Sequence, residues 1–180
     1  PLEYANQRPM SATWTVTGSG AYVLGKRKSS ACITGITTGK IMDYGIKDSM
    51  NMGAAMAPAA ADTICQNFKD FERKPEDYDQ IITGDLGSVG QEILIDLLKK
   101  EGYDISQEHL DCGMLIFESK AQKTGAGGAG CGCSAVTLAG HFLKQVEMGK
   151  LRRILFVPTG ALLSTVSFNE GKTVPGIAHG

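Results

Sequence analysis

"YDQIITGDLGSVGQEILIDLLKKEG", residues 78–102, contains two periodicities separated by a glycine-rich turn. "YDQIITG" (78–84) is a short apolar run closed by glycine, the pattern of a buried strand. "SVGQEILIDLLKKEG" (88–102) places Val89, Ile93, Leu94, Leu97 and Leu98 at helical spacing. Ser88 is available as its cap and Gly102 as its stop. A strand feeding a helix through a tight turn is the repeating unit of α/β proteins. Asp85 sits directly after the strand, where such proteins place ligand groups or helix caps; of the two, the cap role is the stronger expectation for it.

The flanking sequence extends the alternation. "TWTVTGSGAYVLG" (13–25) and "SACITGITTGKIMDYG" (30–45) are rich in β-branched and aromatic residues and read as strands. "MNMGAAMAPAAADTICQNFKDF" (50–71) is Ala- and Met-rich and reads as a tightly packed helix, with Pro58 at its first turn or at a kink. "LDCGMLIFE" (110–118) is strand-like. Residues 134–149 form a second amphipathic helix with Ala135, Leu138, Ala139, Phe142, Leu143 and Val146 on one side, and "RRILFVPTGALLS" (152–164) is a buried strand followed by a turn. Strand, helix, strand-like run, helix, strand predicts an α/β layer architecture with parallel pairing, in one domain without linker or repeat.

At 180 residues the chain can bury one sizeable core. A net charge of −1 argues against a nucleic-acid partner, because "GKRK" (25–28) and "LRR" (151–153) are the only basic clusters. No window is apolar enough to span a bilayer, and "PLEYANQRPM" lacks the basic and apolar regions of a signal peptide. Five cysteines without framework spacing, two of them at 131 and 133, favour a reducing compartment. The chain opens as if within a loop and stops at "TVPGIAHG", which reads as a fragment of a longer protein.

"GAGGAGCGCSAV" (125–136) is the densest glycine segment. It matches G-x-G-x-x-G in form, yet the preceding "FESKAQKT" is polar and the run near 150 is basic, so the strand and the acidic residue of a dinucleotide site are missing. Its chemistry still suits an anion: glycines let backbone N–H groups approach a ligand, and a helix starts near Ser134. The competing reading is a turn forced by close strand–helix packing. Cys131 and Cys133 with Cys112 and His141 could suggest zinc, but structural zinc spacing is normally C-x₂₋₄-C with a second pair, and no second pair exists. A nucleophilic thiol needs a base, and His109, His141 and His179 lie in no recognisable motif. "TGALLS" (159–164) ends a further strand with a hydroxyl and a glycine. Three strand-end segments, holding Asp85, then Gly130, Cys131, Gly132, Cys133 and Ser134, then Thr159 and Gly160, are therefore expected to converge on one cleft.

"PLEYANQRP", "WTVTGSGA", "DYDQIITGDLGSVG", "DCGMLIFE", "GAGGAGCGCSA" and "VPGIAHG" together resemble the stage V sporulation protein AD family of spore-forming bacteria, along essentially the whole chain. The resemblance implies a thiolase-like fold similar to β-ketoacyl synthase III, built of two similar halves. Residues 1–28 would end the N-terminal half, and 29–180 would form the C-terminal half, truncated before its last strand. Where the synthases carry a catalytic histidine this chain has Gly84 or Asp85, and where they carry asparagine it has Cys131 or Gly132. Acyl condensation needs those donors.

The resemblance therefore implies a binding protein and no catalytic residue. The implied ligand is dipicolinic acid, alone or with calcium, with no cofactor and no resident metal. The implied setting is the spore dipicolinate channel, acting in uptake during sporulation and in release at germination. The protein would sit peripherally on the cytoplasmic side of the forespore or spore inner membrane, beside other stage V sporulation A channel proteins, as a homodimer. The alternative is a divergent acyltransferase that binds an acyl thioester.

Overall fold

The computed structural model describes residues 8–26 and 29–180. The expected boundary at 28/29 abuts Lys28, which lies outside that set. The first element is β1, Trp14–Thr15, and α1 follows at Met52–Asp70. Asn51 caps α1 by accepting the Ala54 N–H through its side chain. Pro58 lies inside α1, well past its first turn. Next come β2 (Gln80–Thr83), α2 (Gly87–Lys100), β3 (His109–Asp111) and two single-turn helices, α3 (Cys112–Leu115) and α4 (Ser119–Gln122). The glycine segment supplies β4, Gly128–Ala129. One continuous helical run then comprises α5 (Cys133–Thr137), a π turn (Leu138–Phe142) and α6 (Leu143–Glu147). The chain closes with β5 (Ile154–Val157), β6 (Thr159–Ala161), α7 (Thr165–Asn169) and β7 (Gly176–Ala178).

β2 is the centre of a parallel sheet ordered β3-β2-β5. Ile81 stands opposite His109 and Leu155, and Thr83 opposite Asp111 and Val157. Successive side chains alternate between the two faces of the sheet, so each face has its own core. Ile81, Leu155 and Val157 pack with Met56, Ile64 and Phe68 of α1 and with Leu94 and Leu98 of α2. Ile82, Ile154 and Phe156 face the other way, onto Phe142 and Cys133. Each fully buried Ile or Leu contributes roughly 1.5–3 kcal/mol. The result is a helix–sheet–helix sandwich, and the α/β expectation holds.

Three local expectations are corrected. Residues 110–118 are not one strand: Asp111 ends β3 and its carboxylate caps α3, accepting the Gly113 and Met114 N–H groups at 3.0 and 3.3 Å. Of residues 13–25, only Trp14–Thr15 pair as a strand, in parallel with β4; the rest of that stretch finds no ladder partner among the described residues. Residues 30–45 run extended and meet the chain's end at isolated points, with mutual backbone bonds joining Thr37 to Gly180 and Met42 to Gly176.

The helix beyond the glycine segment buries only part of the expected stripe, Phe142 with Leu138 against the same core, and adds two residues that were not expected. Cys133, Thr137 and Phe142 are its inward residues, spaced four and then five apart. The π turn inserts the extra residue and rotates α6 relative to α5, and Ala135, Leu138 and Ala139 are only half-buried.

Candidate functional site

In the sheet order β3-β2-β5 the chain leaves β2 for one neighbour and later places β5 on the other side. The carboxyl ends of β2 and β5 therefore flank a topological switch point, the place where open α/β sheets hold ligands. Asp85 follows β2 and Thr159 follows β5, and the two side chains meet there. The Thr159 hydroxyl donates to Asp85 Oδ1 at 2.8 Å, and the Asp85 N–H returns a bond to Thr159 Oγ1 at 3.1 Å. The third segment arrives through Gly130, whose N–H donates to Asp85 Oδ2 at 2.9 Å. One carboxylate thus ties three strand-end loops together, and the expected convergence is seen in the structure.

Gly84 and Gly130 are required by this geometry. A Cβ on Gly84 would lie 2.8 Å from the Thr159 nitrogen. Gly130 has φ +112°, outside the range of ordinary side-chain-bearing residues, and that conformation aims its N–H at Asp85. Gly132 is equally constrained for another reason, since a Cβ there would meet the Gly18 carbonyl at 2.5 Å.

The eight expected residues do not play equal parts. Asp85, Gly130 and Thr159 make the junction. Cys133 is buried beneath it, with its thiol 3.5 Å from the Gly84 carbonyl. Cys131 is exposed at the rim, and Ser134 is half-buried beside it. Gly160 belongs to the β6–β7 ribbon opposite Ile177, and Gly132 is a packing position. The N–H of Cys133 is already bonded to the Gly130 carbonyl, and that of Gly130 to Asp85. In this structure the Gly130 N–H is thus taken by the chain's own Asp85 carboxylate, and Gly132 meets the other expectation, a turn forced by close packing.

Asp85 is not the cap of α2, nor is Ser88, whose N–H goes to the Ala126 carbonyl. That role belongs to Asp111, which sequence patterning did not single out. Asp111 Oδ2 accepts the Leu86 N–H at 2.9 Å and Oδ1 the Gly87 N–H at 3.1 Å. The Thr83 hydroxyl adds a third bond to it at 2.7 Å. The local signal is an aspartate two residues before Gly113, an N-cap pattern for α3; its bonds to the start of α2 reach back 24 and 25 residues and leave no local signal.

Thr83 also contacts His109 Nε2 at 2.9 Å, and Gln91 Nε2 lies 2.9 Å from His109 Nδ1. Thr83 has one proton and gives it to Asp111. His109 must then carry its hydrogen on Nε2 and accept from Gln91 at Nδ1. Burial pushes this imidazole down to about 4, so it is neutral near pH 7.

The thiols are equally quiet. Burial, with Asp85 and Asp111 adding negative charge, pushes Cys133 up to about 12; Cys112 moves upward for the same principal reason. A thiolate at either position would be an uncompensated buried charge. Among the described residues no three His, Cys, Asp or Glu side chains gather as a metal site, and His141 is exposed on the π turn. His141 lines a crevice of about 220 Å³ between Leu115, Ile116, Val136 and Gly140, away from Asp85.

Comparison with known proteins agrees with this chain's motifs over its full length. The family model described as Stage V sporulation protein AD matches residues 1–180. A curated relative, Stage V sporulation protein AD of Bacillus subtilis (strain 168), is 52% identical over 180 residues, covering 100% of this chain and 53% of the relative. The chain therefore spans about half the length of that relative.

Proposed function

Because this chain belongs to the stage V sporulation protein AD family, we propose that it acts in spore formation as part of a non-enzymatic dipicolinate-binding protein. In this reading the thiolase-like scaffold keeps a cleft at the carboxyl ends of its strands and has lost the groups that handle protons. The ligand is dipicolinic acid or its calcium chelate, taken up during sporulation and released at germination. The protein works peripherally at the spore inner membrane, on its cytoplasmic side, with the other stage V sporulation A channel proteins and as a homodimer. No helix of the described residues is long and apolar enough to cross a membrane, so attachment in this reading comes from partners.

The observation that carries the reading is the character of the switch point. It presents an amide N–H from Gly130 and a hydroxyl from Thr159, both already engaged with a carboxylate. The thiol beneath it, Cys133, is buried and held protonated, the exposed Cys131 at its rim has no histidine bonded to it among the described residues, and the His109 imidazole is turned into the network of Thr83 and Gln91. Donors without a nucleophile or a free base suit recognition of a carboxylate better than acyl transfer.

Calorimetric titration of the full-length protein with dipicolinate tests this. Saturable binding is expected, weakened by Thr159→Val only to the extent that the ligand's bond to that hydroxyl exceeds the one Asp85 already makes with it. Thr159→Val is preferable to any Gly132 substitution, which would drive a side chain into the Gly18 backbone. Absence of binding together with turnover of an acyl thioester would replace the proposal with the acyltransferase alternative.

A further inference from the structure

Asp85 is largely buried, and no Lys, Arg or His pairs with it among the described residues. Burial pushes its carboxyl up, opposed by the bonds from Gly130 and Thr159. Holding a carboxylate this way is costly, and a neutral side chain could tie the same loops together without that cost. The donor set is also specific in form. One amide N–H takes one oxygen and one hydroxyl takes the other, at 2.9 and 2.8 Å. That is how a protein receives a small free carboxylate. Asp85, Gly130 and Thr159 are each partly exposed, with Cys131 open to solvent beside them, so the junction lies at the surface and not in the core.

We propose that Asp85 is a built-in stand-in for a ligand carboxylate, and that binding proceeds by displacing it from Gly130 and Thr159. Release is then the reverse exchange, in which Asp85 recovers its two bonds as the ligand leaves. The identity of the natural ligand rests on the dipicolinate reading; the exchange itself does not. The same residue thereby sets affinity: the incoming group gains only the difference between its own bonds and those Asp85 gives up.

The test uses the full-length protein with Asp85→Ala and Asp85→Asn, and formate and dipicolinate as probes. Asp85→Ala vacates the two donors, so formate is expected to raise its thermal midpoint saturably, with chloride at equal ionic strength as the control. Wild type should show no such response, and Asp85→Ala/Thr159→Val should lose it. Dipicolinate is expected to bind Asp85→Ala and Asp85→Asn about tenfold more tightly than wild type, since a competing like charge is gone.

If Asp85→Ala folds only in the presence of formate, that rescue supports the exchange, and if it folds in neither condition, dipicolinate affinity of Asp85→Asn decides. Weaker dipicolinate binding by the variants would overturn the proposal, because Asp85 would then be a direct contact to the ligand or its cation. A folded Asp85→Ala that ignores formate would overturn it as well. Formate rescue with no dipicolinate binding by any form would leave the exchange standing and remove the dipicolinate reading instead.

Discussion

Asp111 Oδ1 accepts the Gly87 N–H at 3.1 Å, so helix α2 is capped by a residue 24 positions downstream in the chain. The same carboxylate takes the Leu86, Gly113 and Met114 N–H groups and the Thr83 hydroxyl. It thus joins β2, the turn that carries Asp85, and the start of α3. Burial pushes this carboxyl up, and the bonds from Thr83, Leu86 and Gly87 pull against that. Five donors, four of them in buried bonds, lose their acceptor if this side chain is removed. Asp111→Ala is expected to lower unfolding free energy by about 3 kcal/mol or more. Asp111→Asn should cost less, since the amide keeps one acceptor oxygen. Urea denaturation followed by circular dichroism measures both, and equal stability of Asp111→Ala and wild type would contradict the clamp.

His109 gives the fold an acid-side weakness. Its folded value is about 4, below the ~6.5 of an unfolded histidine. Between those values the unfolded chain binds a proton that the folded chain refuses, so stability must fall as pH drops from about 6.5 toward 4. Above that window the contribution is constant. The shift corresponds to roughly 3 kcal/mol at full extent. Asp85 and Asp111, raised by burial, act in the opposite sense above their unfolded values, which makes the difference between proteins the useful quantity. Denaturation midpoints of wild type and His109→Gln across pH 4–8 should converge at the acid end. Parallel curves would show that His109 is not held neutral.

The fold and the site were unequally legible in the sequence, for physical reasons. β2 and α2 were readable because each has one dominant period and a glycine that ends it. The meeting of Asp85 and Thr159 was readable because the carboxyl ends of parallel neighbours β2 and β5 lie side by side; Gly130 reaches them from β4, which pairs with β1 in a separate sheet. Their roles were not readable, because whether an aspartate caps the next helix or bonds a distant loop depends on contacts 45 and 74 residues away. Asp111 and the π turn were missed for the same kind of reason. The first acts across the sheet, and the second adds one residue to a turn while leaving the apolar spacing nearly helical.

Close helix packing supplies a prediction with two opposite signs. α1 and α2 cross at Gly53 and Gly90, where a Cβ on Gly90 would come within 2.8 Å of the Gly53 Cα. Gly90→Ala gains helix propensity of about 1 kcal/mol yet forces two backbones apart, and the clash should win. Gly140, on the exposed side of the π turn, has open space where its Cβ would stand. Gly140→Ala should keep the propensity gain, up to ~1 kcal/mol. Thermal melts are expected to show a lower midpoint for Gly90→Ala and a higher one for Gly140→Ala. The reverse order would mean that the α1–α2 crossing is not the tight contact described.

The five thiols should separate into two classes under an aromatic disulfide reagent. Cys32 and Cys131 are exposed, whereas Cys65, Cys112 and Cys133 are buried. Burial pushes Cys65 up to about 11 and Cys133 up to about 12, and raises Cys112 as well, so near pH 8 almost none of these three is thiolate. Since thiolate is the reacting form, access and ionisation oppose reaction together. The native chain is expected to release close to two equivalents of thiolate chromophore promptly, and the remaining three only on unfolding in guanidinium. A Cys131→Ser variant should lose one of the fast equivalents and leave the slow ones unchanged. Rapid reaction of a third thiol in the native chain, traced to Cys133 by Cys133→Ser, would revive a nucleophile at the switch point and count directly against the binding reading.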